Sequence, residues 1–178
     1  MKKIFLIMLV TISFSSCEKD DICTDDTTPR LVLEFYDVAN PGNLRNVVNL
    51  KVKAEGAADF IVFNTSLPET DSNRYLFNGN KLELPLKINE NNTKYSLVLN
   101  STGTVILPNK DFLQFNYTPQ NIYVSRACGY KTIFELNATP NGVVLTDAAT
   151  PDTFWIQDIN ILTTNIETEN ETHIKILF

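Results

Sequence analysis

His173 is the only histidine in the chain, and three cysteines complete its set of imidazole and sulfur ligands. A zinc site gathers three or four such ligands at one point. No metal site and no cofactor is therefore expected. A Ser-His-Asp arrangement would have to recruit His173, which stands beside Lys175 and out of step with the apolar pair Ile174 and Ile176. No G-x-S-x-G elbow accompanies it, so His173 reads as an ordinary strand histidine. Carboxylates offer a second chemistry. Asp147, Asp152 and Asp158 flank Phe154-Trp155, and two carboxylates beside an aromatic platform are the parts of a glycosidase site. Spacing along the chain does not set separation in space, so a non-catalytic reading leads and a carboxylate-based glycan hydrolase is the minor alternative. Trp155, with Tyr117, Tyr123 and Tyr130, could instead form a sugar-stacking face. A lone tryptophan in an all-β domain is more often a core filler. Arg126 alternates in phase with Ile122, Val124 and Cys128. Facing inward it would need a carboxylate or carbonyl; otherwise it is free to meet a ligand. Arg126 and Trp155 are the two candidate ligand contacts.

The cysteines point to an address. Met1-Lys2-Lys3 precedes a nearly continuous apolar run from Ile4 to Phe14, followed by Ser15-Ser16-Cys17. A positive start, a short apolar stretch and small residues before a cut site predict a secretory signal over residues 1–16. The run falls short of the ~20 residues that cross a bilayer. Ser15-Ser16-Cys17 resembles the bacterial lipobox, with Phe14 where that pattern prefers leucine. The resemblance implies lipid on Cys17, and several acyl chains on one residue suffice for stable anchoring. Glu18-Lys19-Asp20-Asp21 resembles the surface-export tag of Bacteroidota lipoproteins, which gives Lys19, Asp20 and Asp21 a role in export. A plain charged linker is the alternative. Cys23 and Cys128 remain. An even count in an exported protein favours a disulfide, with two free thiols as the other outcome. A bridge would leave only five residues between the lipid and the bond, a reach of at most ~20 Å.

Charge excludes one class of partner. Without Lys2 and Lys3 the 15 cations fall to 13 against 21 acids, a net charge of −8. No basic stripe and no glycine-rich phosphate loop is legible, so nucleic acid is not an expected partner.

The elements that must position these residues read as strands. Leu31, Leu33 and Phe35 alternate with other residues, as do Val48, Leu50, Val52 and Ala54. Leu82, Leu84, Leu86 and Ile88 keep the period, as do Tyr95, Leu97 and Leu99, then Tyr130, Thr132, Phe134 and Leu136, and finally Ile174, Ile176 and Phe178. Period two marks half-buried strands. Pro85 predicts an edge, because it lacks a donor. No stretch keeps a capped helical period. The reading is an all-β antiparallel β-sandwich, immunoglobulin-like or related, with about nine or ten short strands and almost no helix. A membrane barrel would not place Glu34, Lys51, Lys53, Glu83 and Lys87 on outward faces. Residues 17–29 then form the anchor and acidic linker, and 30–178 a single domain.

Cys17 to Cys23, Pro29 to Asp37, Ser125 to Lys131 and His173 to Ile176 together resemble an uncharacterised Bacteroidota lipoprotein family. The resemblance implies a location and a pairing of Cys23 with Cys128, and no activity. The expectation is a non-catalytic binding or structural module. It is lipid-anchored in the outer membrane and faces the exterior, the periplasmic face being the alternative. Its partner would be a glycan or an envelope protein.

Overall fold

The structure is a computed structural model that describes residue 23, residues 28–149 and residues 153–178. Cys17, Lys19, Asp20, Asp21 and Asp152 lie outside the described residues. Among the described residues eleven strands form two packed sheets: β1 (Leu31–Tyr36), β2 (Val47–Ala54), β3 (Phe77–Gly79), β4 (Lys81–Leu84), β5 (Asn92–Leu99), β6 (Asn109–Ser125), β7 (Gly129–Leu136), β8 (Val143–Asp147), β9 (Asp158–Ile161), β10 (Asn165–Ile166) and β11 (Ile174–Leu177). The only helical element among the described residues is a 3₁₀ turn at Ser72–Tyr75. The all-β sandwich expected from the alternation is the observed fold.

The smaller sheet runs β4-β1-β11-β9 and the larger runs β10-β7-β6-β5-β2-β3, with β8 added to β6. One pairing departs from the antiparallel expectation. β1 and β11 lie parallel, with Leu33 opposite Ile174 and Phe35 opposite Ile176. Parallel neighbours need a long crossover, and here the connection is nearly the whole domain. Between the sheets Leu31, Leu33, Phe35, Leu82, Leu84, Ile174 and Ile176 meet Val52, Leu97, Leu113 and Phe115, all buried. Each such side chain contributes ~1.5–3 kcal/mol relative to an exposed one.

Two local breaks shift the expected pattern. In β2 the buried residues are Val47, Leu50 and Val52, while Val48 is 51% exposed. Asn49 has φ +49° and the register with β3 slips between Val47 and Leu50. This bulge turns the alternation over by one residue. β4 ends at Leu84, before Pro85, at the edge of its sheet, as a residue without an N–H requires.

β6 is the longest strand, 17 residues or about 55 Å at ~3.3 Å per residue. Its first part pairs with β5 on one side and β8 on the other. From Tyr117 onward it pairs with β7, and this hairpin runs past the end of the sandwich. Residues 126–128 form its turn. Arg126 and Cys128 therefore sit at a tip and not on the continuous strand face expected of Ile122–Cys128.

Candidate functional site

The residues expected to carry chemistry do not converge. Trp155 is 7% exposed, with its ring 5.6 Å from Phe178 and 6.2 Å from Phe35. Its Nε1–H donates to the Leu97 carbonyl at 3.4 Å. Trp155 is thus a core filler, and its candidacy as a ligand contact is withdrawn. The two sheets close over the ring, leaving no face for a sugar. Asp158 lies at an outer strand, β9, where Asn160 donates to it. Asp147 ends β8 opposite Asp111 of β6. Among the described residues no three His, Cys, Asp or Glu side chains are grouped to hold a metal.

Asp111 escaped the sequence reading. It is fully buried, and its Oδ2 accepts the backbone N–H groups of Trp155 and Ile156 at 3.0 and 2.9 Å. Two backbone hydrogen bonds to one oxygen help to satisfy a carboxyl group buried away from water. Their effect is to fasten the Trp155 segment onto β6. A sequence offers no signal for it, because the donors lie 44 and 45 positions away.

His173 is also structural, and fully buried. The Val32 N–H donates to its Nδ1 at 2.9 Å, and its own N–H donates to the Val32 carbonyl at 3.0 Å. Accepting at Nδ1, the ring is neutral with its proton on Nε2. Burial pushes its pKa down, against the smaller opposing pull of Glu171.

What the chain does bring together is the hairpin tip and the N-terminal segment. Cys23 and Cys128 are bonded, with Cα atoms 4.9 Å apart and a sequence separation of 105. The Cys128 N–H donates to Ser125 Oγ at 3.1 Å. Gly129 has φ +70°, a conformation open to glycine at no steric cost. A β-carbon there would meet nothing within 4 Å among the described residues, so the glycine serves the turn. Farther down the arm the Thr132 N–H donates to Thr28 Oγ1 at 3.1 Å. Arg30 then grips Glu169, Nε to Oε1 at 2.8 Å and Nη2 to Oε2 at 2.5 Å, with Glu83 also 2.5 Å away. The guanidinium holds the Glu169 carboxyl below the usual range. Glu169 is thus part of a clamp on the incoming chain.

The arm itself is exposed. Tyr123 and Tyr130, 57% and 72% accessible, meet edge to face across the hairpin at 5.4 Å. Arg126 is exposed in the turn. The Asn116 N–H points to Gly142 and the Tyr117 N–H to Asn91. By alternation Pro119 lies on the open edge of β6, where its missing donor discourages strand addition.

Comparison with known proteins adds a family and no chemistry. No curated protein and no solved structure matches the chain. The model of the "Family of unknown function (DUF6452)" matches residues 49–178, from the β2 bulge to the C-terminal Phe178 and more than half of the chain. The protein belongs to the family of unknown function DUF6452.

Proposed function

We propose that the protein is a non-catalytic binding module, lipid-anchored at Cys17 in the outer membrane and facing the cell exterior, with an envelope component as partner. One observation carries this reading: the Cys23–Cys128 bond ties the segment that follows Cys17 to the tip of the hairpin arm. Five residues separate Cys17 from Cys23, so the tip lies within ~20 Å of the lipid. A floppy tether would let the domain wander; this arrangement holds one end of it at the membrane surface. At the other end of β6 the loop of residues 100–108 exposes Val105, Ile106 and Leu107, Val105 to 94%. Three successive exposed apolar side chains are a feature that a protein partner would cover. The loop base is tied to the β2 bulge, since Ser101 donates to the Asn49 carbonyl through its N–H at 3.0 Å and its Oγ at 2.7 Å.

A glycan-binding reading loses its tryptophan, since Trp155 is in the core. The test of the anchor is Cys17→Ser. The variant should be exported without acylation and leave the detergent phase; a variant that still partitions like the parent protein would overturn the lipoprotein reading.

A further inference from the structure

The outer face of the larger sheet gathers cations that are scattered in the sequence. Lys51 and Lys53 lie on β2, Lys94 on β5 and Lys110 on β6, and all four have the phase opposite to the buried residues of their strands. The register places Lys51 opposite Val98, and Val98 opposite Lys110. Lys53 is opposite Ser96, which is opposite Phe112. At ~4.8 Å between strands, Lys51 and Lys110 start about 10 Å apart with Val98 between them. The four lysines thus surround Ser96 and Val98 in an otherwise acidic protein.

These lysines converge in pairs on two aromatic rings. The Lys94 and Lys110 ammonium groups lie 5.0 and 5.7 Å from the Phe112 centroid. Lys51 and Lys53 lie 5.4 and 5.7 Å from that of Phe60. Each ring attracts a cation through its quadrupole, but two ammonium groups over one ring repel each other. Of the carboxylates, Glu55 sits 3.5 Å from Lys94, and Asp59 precedes Phe60 in the neighbouring loop. Lys53 Nζ also donates to the Ala58 carbonyl at 2.8 Å. A shallow depression lined by Lys53, Ala54, Glu55, Gly56, Ser96 and Phe112 opens between the strands.

We propose that this face binds an anionic polysaccharide, its sulfate or carboxylate groups meeting Lys51, Lys53, Lys94 and Lys110 and a sugar ring lying against Phe112. The charge pattern asks for spaced anions, because the cations border an uncharged centre instead of forming a single cluster. The face is an open sheet surface with only a shallow depression, which suits a flexible chain of rings better than a stiff duplex that must also pass an acidic surface. Lysine ammonium groups are point charges without the planar fork of arginine, matching anionic groups that vary in position along a chain. The proposal does not depend on the lipid anchor.

The test is binding of the full-length protein to dextran sulfate, with neutral dextran, polyglutamate and single-stranded DNA as comparisons. Dextran sulfate should bind at low salt and weaken as salt is raised, at least about tenfold tighter than polyglutamate or the DNA. Lys51→Gln with Lys110→Gln should weaken it about tenfold. The control pair Lys87→Gln with Lys175→Gln, away from this face, should change it less than about twofold. Phe112→Ala should weaken dextran sulfate and leave polyglutamate unchanged. An absence of binding, equal losses in the two lysine pairs, or equal affinity for polyglutamate or DNA would overturn the assignment.

Discussion

The two halves of β6 share one strand but have different means of support. From Asn109 to Tyr117 every second residue is buried: Asp111, Leu113, Phe115 and Tyr117. From Thr118 to Ser125 none is buried, and the apolar Ile122 and Val124 fall on the phase opposite to Leu113 and Phe115. Both halves are continuous strand, but only the first carries residues of the core. The near half is held by packing. The far half is held by its ladder with β7, by Thr28 at Thr132, and by the covalent bond at its tip. Alternation along a strand therefore reports a pleated ribbon, and burial follows only where another layer ends up above it.

The sharpest way to break the comparison is to truncate one tyrosine in the near half. Tyr117 is buried, its ring 5.2 Å from Phe134, and its hydroxyl shares a 2.6 Å hydrogen bond with Thr93 Oγ1 and donates to the Lys87 carbonyl at 2.8 Å. Tyr117→Ala should cost about 3–5 kcal/mol in urea unfolding, because cavity and lost hydrogen bonds combine. A cost near zero would mean the near half does not depend on its packing.

Removal of the bridge should come next. Closing a loop whose ends are separated by 105 in sequence is worth up to ~4–5 kcal/mol in the chain-entropy model. Cys23→Ala with Cys128→Ala should lower stability by ~2–4 kcal/mol and leave the β-sheet circular dichroism unchanged. Loss of the spectrum would show that the sandwich needs the staple as much as the arm does.

His173 joins the N-terminal strand to the rest of the smaller sheet, and its effect is set by pH. Its pKa is depressed in the fold from 6.5, so the unfolded chain takes up its proton first as pH falls. Its contribution is complete above about 6.5 and is lost as pH falls through the lower folded value, at no more than ~1.4 kcal/mol per pH unit for one proton. The Glu169 carboxyl, also depressed, loses its contribution only below its usual 4.5. The urea midpoint should therefore decline between about pH 6.5 and 5, and His173→Asn should flatten that decline. An equal decline in the variant would move the effect elsewhere.

The smallest effect is expected on the arm. Tyr123→Ala removes an exposed cross-strand pair and should cost less than about 1 kcal/mol, against the several expected for Tyr117→Ala on the same strand. Similar costs in thermal unfolding would erase the distinction between the two halves.

Much of the larger architecture was legible. Leu82 with Leu84, Tyr95 with Leu97, and Ile174 with Ile176 announced strands, since period two is a local property. The Cys23–Cys128 pairing was an expectation from the even count, from the export read in the signal pattern and from the family resemblance, and the bond is present. Non-local arrangements were hidden. Nothing in β1 or β11 encodes their parallel contact, and nothing in Asp111 names the two N–H groups it accepts. Val48 misled because the bulge at Asn49 reverses the phase. Lys51, Lys53, Lys94 and Lys110 were invisible as a group because register, and not spacing, brings three strands into line. Arg126 was placed on a strand face because a hairpin turn after so long a strand carries no separate apolar signal.

Amide hydrogen exchange across β6 in the bridged protein and in the Cys23→Ala, Cys128→Ala variant tests the account most directly. With the bridge gone, the ladder amides of Thr118, Gln120, Ile122, Val124 and Lys131 should exchange at least about tenfold faster while those of 109–117 keep their protection. Equal acceleration in both halves, or an arm that exchanges at the same rate with and without the bridge, would contradict it.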